Sequence, residues 1–329
     1  MAVVNNHATD MFTMSGTTNL ISGILWIARF IPRSCGLALA RALGTTFYRL
    51  MPERRLVAMT NLDIAFSSSL TRKQKNRIAK QSFQNFFCLI FDFLKLSQLS
   101  TIEQARFIEI QGEEHLKQAL SMGKGVLAIS AHFGNFLLLL SALSQKGYPI
   151  HVVTRHFKNK RADDIYTGIL ALFGTKTFSK DRVAPLILRA LKDGAIVGYV
   201  LDQNMQRENG IFVDSFGRPA CTIKGLATLA GRYGSPILSA YMVSEADGRH
   251  CIHIEPPYLP EHGRGSKDRE SEIAQMFTKR IEAWIRRYPD QWMWTHRRWK
   301  TRPSGEPDIY PPRRGIKRQL KAWRRRLSR

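Results

Sequence analysis

The sequence predicts an α/β fold, with a mostly parallel central sheet flanked by helices and an N-terminal helical membrane-associated segment. Three observations predict it. From residue 107 onward, short apolar runs alternate with longer helical patterns, the rhythm of strand–helix units. Several of those runs end abruptly on a polar residue, as strands of open α/β sheets do where they meet a ligand. The first hundred residues show no such rhythm and hold apolar stretches interrupted by arginine.

The elements follow in order. Residues 1–18 are polar. Residues 20–31 are apolar but broken by Arg29, with Pro32-Arg33 after them; a second apolar stretch, 35–51, contains Arg41 and Arg49. Neither reaches the roughly 20 clean apolar residues of a spanning helix. No charged start and small-residue cleavage site frame a secretory signal. Arginines beside apolar helical faces suit a membrane interface, where their long stems snorkel; two amphipathic helices packed on the domain are the alternative. Residues 53–98 read as helical, with Arg54, Arg55, Arg72, Lys73, Lys75, Arg77 and Lys80 between apolar positions. Within them, 85–94 is apolar on nearly every side, a helix for the core or for lipid.

From there strands are expected at 107–110, 126–129, 150–154, 195–201, 236–241 and 250–254. Helices are expected at 113–122, stopped by Gly123, and at 184–191 and 271–287. The domain boundaries implied are 1–52 for the leader and membrane-associated helices, 53–305 for the α/β domain and 306–329 for a basic tail.

Composition bounds the partners. The 329 residues suffice for a large core, and 44% hydrophobic content is that of a folded protein. The formal charge of +24 calls for an anionic partner. Cys35, Cys88, Cys221 and Cys251 are scattered and form no CxxC pair, so they read as free thiols rather than a metal site or disulfide frame. Beyond Arg313 the tail is basic without an acid, and Ile316, Leu320, Trp323 and Leu327 share one helical face. That is a basic amphipathic helix for an anionic membrane surface. Nucleic acid, the other polyanion, is not expected, because no nucleic-acid-binding fold accompanies the tail.

The stretch that organises the chain is GVLAISAHFGNFLLLL, residues 125–140. It reads strand, short polar turn, helix, and the turn sets His132 at a strand's carboxyl end. A histidine there either caps a turn or takes a proton from a substrate hydroxyl. Arg155, and Asp202 with Gln203, also follow strands; an arginine and an aspartate so placed would equally serve as a structural ion pair. Thr222 and Lys224 open a helix whose start suits a phosphate or an ordinary cap. His296, Arg297, Arg298 and Lys300 form a basic run among tryptophans, a phosphate clamp, a solvated run or an interface belt.

Ala131-His132-Phe133-Gly134-Asn135 resembles the HFGNWE block of the bacterial lipid A late acyltransferases, the lauroyl/myristoyl transferases of the lysophospholipid acyltransferase superfamily. Val153-Thr154-Arg155, Leu201-Asp202-Gln203, residues 210–220 and the closing WMWTHRRWKTRP, residues 292–303, resemble further blocks of that family in the same order, together covering about residues 20 to 305. The resemblance implies acyl transfer from an acyl carrier protein thioester to a hydroxyl of a membrane glycolipid, at the cytoplasmic face of the inner membrane, without metal or cofactor. It assigns catalysis to His132, Arg155 and Asp202, and substrate binding to Asn135, Gln203, Lys224, Arg297, Arg298 and Lys300. The sequence departs from the pattern at one place. The family's signature is a histidine, four residues, then an acid, and here the acid's position is Leu137. Two readings follow: an acyltransferase whose His132 is oriented by another group, such as Asp202 or a backbone carbonyl, or an impaired homologue that binds lipid or acyl chains.

Overall fold

A computed structural model describes residues 16–154, 159–179, 183–260 and 267–310. Its centre is a seven-stranded sheet. The strands are β1 (Ile108–Gln111), β2 (Val126–Ser130), β3 (Ile150–Thr154), β4 (Lys176–Ser179), β5 (Ile196–Val200), β8 (Ile237–Ser244) and β9 (His250–Ile254), in the order β1-β9-β8-β2-β5-β3-β4. Every pairing is parallel except the β8–β9 hairpin. A separate antiparallel pair, β6 (Gly210–Ser215) and β7 (Arg218–Ile223), forms a hairpin that follows β5 in the chain.

The period-two alternation of the strands explains the layers. Leu127, Ile129, Val197 and Tyr199 face one core, with Trp284 and Ile285 of α11 (Lys267–Arg287) and the tryptophans after it. Val126, Ala128 and Ile196 face the other core, with α6 (Glu113–Ser121) and α7 (Phe136–Gln145). Both faces are covered at the centre of the sheet, so β2 and β5 are largely apolar, as buried parallel strands are, whereas the edge strands β1 and β4 carry polar residues. The chain leaves β2 for one side of the sheet, returns to lie beside it as β5, and then builds the other side with β8 and β9. The crevice for a ligand opens at the strand ends where such a sheet reverses direction.

Helix α8 (Lys160–Leu172) and the short edge strand β4 are additions to the sequence reading, as is the single helical turn at Thr101–Gln104. The N-terminal half is helical: α1 (Gly16–Phe30), α2 (Arg33–Leu50), α3 (Pro52–Phe66), α4 (Arg72–Leu96) and the single turn α5 (Thr101–Gln104). Thr71 and Gln74 form a reciprocal capping box that fixes the start of α4. Helices α9 (Val183–Lys192) and α10 (Leu226–Tyr233) complete the layers.

The pair α1–α2 bends by 114° at Ile31-Pro32. Among the described residues no single helix is long and apolar enough to cross a membrane; this bent pair passes that test only together. One face of α2 carries Gly36, Ala40 and Gly44 and lies directly on α4, so close that a Cβ at Gly44 would meet the Gln84 backbone at 2.5 Å. The other carries Leu39, Leu43, Phe47 and Leu50, all exposed, and α1 adds Trp26 and Phe30 at 63% and 65% exposure. Met51 alone joins α2 to α3, whose first residue is Pro52. The amphipathic helix expected beyond Arg313 falls outside the described residues; Tyr310, the last described residue, is buried against Asn61.

Candidate active site

Strand pairing sets the site. Ser130 on β2 is in register with Val200 on β5, and the Leu201 amide donates to the Ser130 carbonyl at 3.2 Å. His132 and Asp202 therefore stand two residues beyond a matched pair on adjacent strands. Asp202 Oδ1 lies 3.0 Å from His132 Nδ1, and Oδ2 accepts from the His132 backbone N–H and from Trp292 Nε1, each at 2.9 Å. The carboxylate is 4% exposed and the imidazole 18%. Burial alone would raise the Asp202 pKa; the His132 charge and the hydrogen bonds from His132 and Trp292 outweigh it and hold the carboxyl down at about 2. An ionised Asp202 accepts the Nδ1 proton, which leaves the lone pair of Nε2 available as a base. The amide nitrogen of Gln203 is 3.0 Å from Nε2 and 3.2 Å from Nδ1, beside both ring nitrogens at once.

The turn after β2 requires its glycine. Gly134 has φ +53°, and a Cβ there would meet the Met242 carbonyl oxygen at 1.6 Å. Its N–H donates to Gln291 O, the Met293 N–H donates to His132 O, and Phe133 bridges Trp292. Asn135 caps α7: Oδ1 accepts from the Leu138 N–H while Nδ2 donates to the Leu89 carbonyl. Leu137 points away from this chemistry. It is 8% exposed in an apolar cluster with Leu25, Leu89, Phe93, Ile169, Leu170 and Phe173. The orienting carboxylate comes from Asp202, across the sheet, and not from the helix.

The closing segment straps the site. His296 Nε2 accepts the Asn204 N–H at 2.9 Å, and burial lowers its pKa to about 4, so it is neutral. Arg298 is buried and donates through Nη1 to the Gln203 and Cys221 carbonyls; burial lowers its pKa to about 10, and it stays protonated. Trp292, Trp294 and Trp299 are at most 2% exposed, so they form core and not a surface belt.

The sequence-derived candidates thus divide. His132, Asp202 and Gln203 converge; Asn135 lines the same cavity as His132, but its amide is taken by the α7 cap and the Leu89 carbonyl. Arg298 holds the Asp202–Gln203 loop from behind. Arg297 lies over the Tyr310 ring, Lys224 donates to the Glu208 carbonyl, and Lys300 is exposed; none of the three lines the cavity beside His132. Arg155 lies outside the described residues. Sequence reasoning missed Trp292 and His296 as loop fasteners, although both sit in a block it singled out, and it missed the whole opposite wall of the site. That wall is the α2–α4 groove. With His132 it encloses a cavity of about 820 Å³ whose surface includes Phe87, Leu89, Phe136 and Met293.

A histidine with a fixed tautomer at the wall of a largely apolar cavity is equipped to deprotonate a hydroxyl beside a long-chain substrate. Residues 8–301 match the family model described as bacterial lipid A biosynthesis acyltransferase. The chain belongs to this family. It is accordingly an acyltransferase, and relatives agree along nearly their whole length. It is 28% identical to the lipid A biosynthesis lauroyltransferase of Escherichia coli K12 over 88% of this chain and 92% of that one. It is 25% identical to the lipid A biosynthesis palmitoleoyltransferase of the same organism, with the same coverage. A lipid A biosynthesis acyltransferase of Haemophilus influenzae is 23% identical over 87% and 88% of the two chains.

Proposed function

We propose that this acyltransferase moves a fatty acyl group from an acyl carrier protein thioester to a hydroxyl of a lipid A-type membrane glycolipid. His132 is the base and Asp202 the group that orients it. The observation that carries the reading is the 3.0 Å contact from Asp202 to Nδ1, which supplies the carboxylate missing at Leu137. The acceptor hydroxyl attacks the thioester carbonyl as its proton passes to Nε2. The tetrahedral intermediate collapses, the C–S bond breaks, and the proton passes from Nε2 to the departing sulfur. Gln203 stands where it can bond the acceptor hydroxyl, and Arg155 follows β3, a strand neighbouring β5, as a candidate cation for the developing oxyanion. Asn135 shapes the wall next to His132, while Lys224, Arg297 and Lys300 are candidates for anionic groups farther out.

The exposed apolar stripe of α2, with Trp26 and Phe30, fits attachment to the cytoplasmic face of the inner membrane. The charge of +24 suits anionic lipid and an acidic carrier protein. The test is acyl transfer by purified protein from acyl carrier protein thioesters to a lipid A precursor, followed by mass spectrometry, for wild type and His132→Ala. Loss of product with an unchanged melting temperature is expected. Equal turnover by the two proteins would remove His132 from the mechanism, and a wild type that binds lipid without turnover would establish the impaired-homologue reading.

A further inference from the structure

The cavity has a polar end. Helices α2 and α4 run antiparallel along it. Near one end Ser82 of α4 donates to Trp292 O and Arg54 donates to Thr295 O, beside the Met293–His132 contact. At the other, Arg33 grips Asp92 through two bonds of 2.7 and 2.8 Å and donates a third, at 2.6 Å, to the Gly248 carbonyl in the β8–β9 turn. His250 Nε2 lies 3.1 Å from the same carboxylate, and its Nδ1 lies 3.0 Å from Ser244 Oγ. Asp92 and His250 are almost fully buried, and Arg33, Asp92 and His250 all line the cavity. This cluster ties α2, α4 and the hairpin together at that end of the groove. Nothing in acyl transfer at His132 uses it.

On the acyl-transfer reading above, we infer that the Arg33–Asp92–His250 cluster is the end wall against which the donor's acyl chain is measured. Between the two ends the walls include Leu37, Phe87, Leu89 and Phe136, which suit hydrocarbon. An ion pair with its hydrogen bonds satisfied cannot be pushed aside by methylenes without stranding a buried charge. The length follows from α4. Ten residues separate Ser82 from Asp92, and at about 1.5 Å per residue the groove is about 15 Å long. An extended alkyl chain, with C–C bonds of about 1.5 Å, advances about 1.3 Å per methylene, so the groove takes about 10 to 12 carbons. Cys88 lines the cavity one turn before Asp92, against the Leu37 carbonyl, and serves as a gauge point close to the wall.

The experiment offers the full-length protein an equimolar mixture of acyl carrier protein thioesters of 8, 10, 12, 14 and 16 carbons with a lipid A precursor, and reads products by mass spectrometry. Wild type should favour 10 to 12 carbons. Cys88→Phe, and independently Leu37→Trp from the facing helix, should move the preference shorter by about three carbons. At roughly fourfold per methylene kept out of the apolar wall, the 12-to-8 product ratio should fall on the order of 50-fold. Two variants on different helices keep the test open if one folds poorly, and melting temperatures identify such a case. No product from any donor with wild type would defeat the acyl-transfer reading itself. Transfer with an optimum of 16 carbons, or with a preference unmoved in both variants, would overturn the end wall alone and assign the groove to the acceptor's own chains.

Discussion

Leu137→Glu restores the acid of the family signature, and the structure sets what it should do. The position is the second residue of α7, in the apolar cluster between α1, α4 and α8, while Asp202 already holds His132 Nδ1. Losing the leucine forfeits about 1.5 to 3 kcal/mol of apolar burial. Placing a carboxylic acid there without a partner costs about 1 to 3 kcal/mol more. The helix N-terminus returns about 0.3 to 1 kcal/mol if the group ionises, and burial opposes ionisation. The net is a loss of about 3 kcal/mol. In urea, with a slope of about 3 kcal/mol/M for a chain of this size, the midpoint should fall by about 1 M. Acyl transfer at saturating substrates should stay level or drop, because the imidazole is already oriented. The assay is urea unfolding followed by tryptophan fluorescence, beside steady-state turnover on the same preparation. A higher rate with undiminished stability would refute the reasoning, because residue 137 would then have to face His132 and Asp202 would not be its partner.

Other outcomes follow from the same geometry. Asp202→Asn should lower turnover on the order of 10⁴-fold, as loss of the orienting carboxylate does in hydrolase triads, with little change in KM; a loss under tenfold would dismiss the dyad. The Asp202 pKa lies below its usual 3.8, so its contribution is fully present above pH 3.8 and is lost as pH falls toward 2, about 2 kcal/mol in all. The unfolding free energy of Asp202→Asn should be flatter across that window. His296 has its pKa lowered from 6.5 to about 4, so the unfolded chain takes up the proton first and stability falls as pH drops from 6.5 toward 4, by about 3 kcal/mol. His296→Gln, which keeps an acceptor for the Asn204 amide, should remove that slope, and an unchanged slope would exclude His296 as its source. Gly134→Ala should cost about 3 kcal/mol or more, from left-handed strain and the collision with the Met242 carbonyl; wild-type stability by calorimetry would show that the turn relaxes.

The central strands β2 and β5 were legible because both sheet faces are covered there, so each reads as a largely apolar run between a glycine or polar turn and the next. Helix α8 escaped notice although Asn159 caps it, because its apolar residues Ile165, Tyr166, Ile169 and Leu170 pack on α1 and α4 from beyond the sheet and follow no strand-like rhythm. Strand β4, Lys-Thr-Phe-Ser, is a short edge strand with little apolar signal. His132 and Asp202 were each visible as strand-end polar residues, and Asp202 was one of two groups considered as the histidine's orienter; the distance between them required the register. The run around Arg298 misled because tryptophan beside arginine reads as surface. The residue is in fact buried, its charge answered by two carbonyls no local pattern reveals. Asp92, Arg33 and His250 were invisible as a group: an aspartate inside an apolar helix finds its partners 59 and 158 residues away.

The three bonds on Asp202 also bear on how the protein comes to be active during its synthesis. One partner is made 70 residues before it and the other 90 residues after. The first contact forms only when β5 slots between β2 and β3, after the intervening α7, β3, α8, β4 and α9 have been made. Such distant pairings carry the loop-closure entropy that slows folding. The indole of Trp292 arrives last, with the segment that also bonds His132 and Asn61. A nascent chain halted before that segment emerges would hold the histidine and its carboxylate with Oδ2 bonded to the His132 N–H alone, without the indole. Acyl transfer therefore reports completion of the whole domain, and a chain stalled or clipped before residue 292 should lack it.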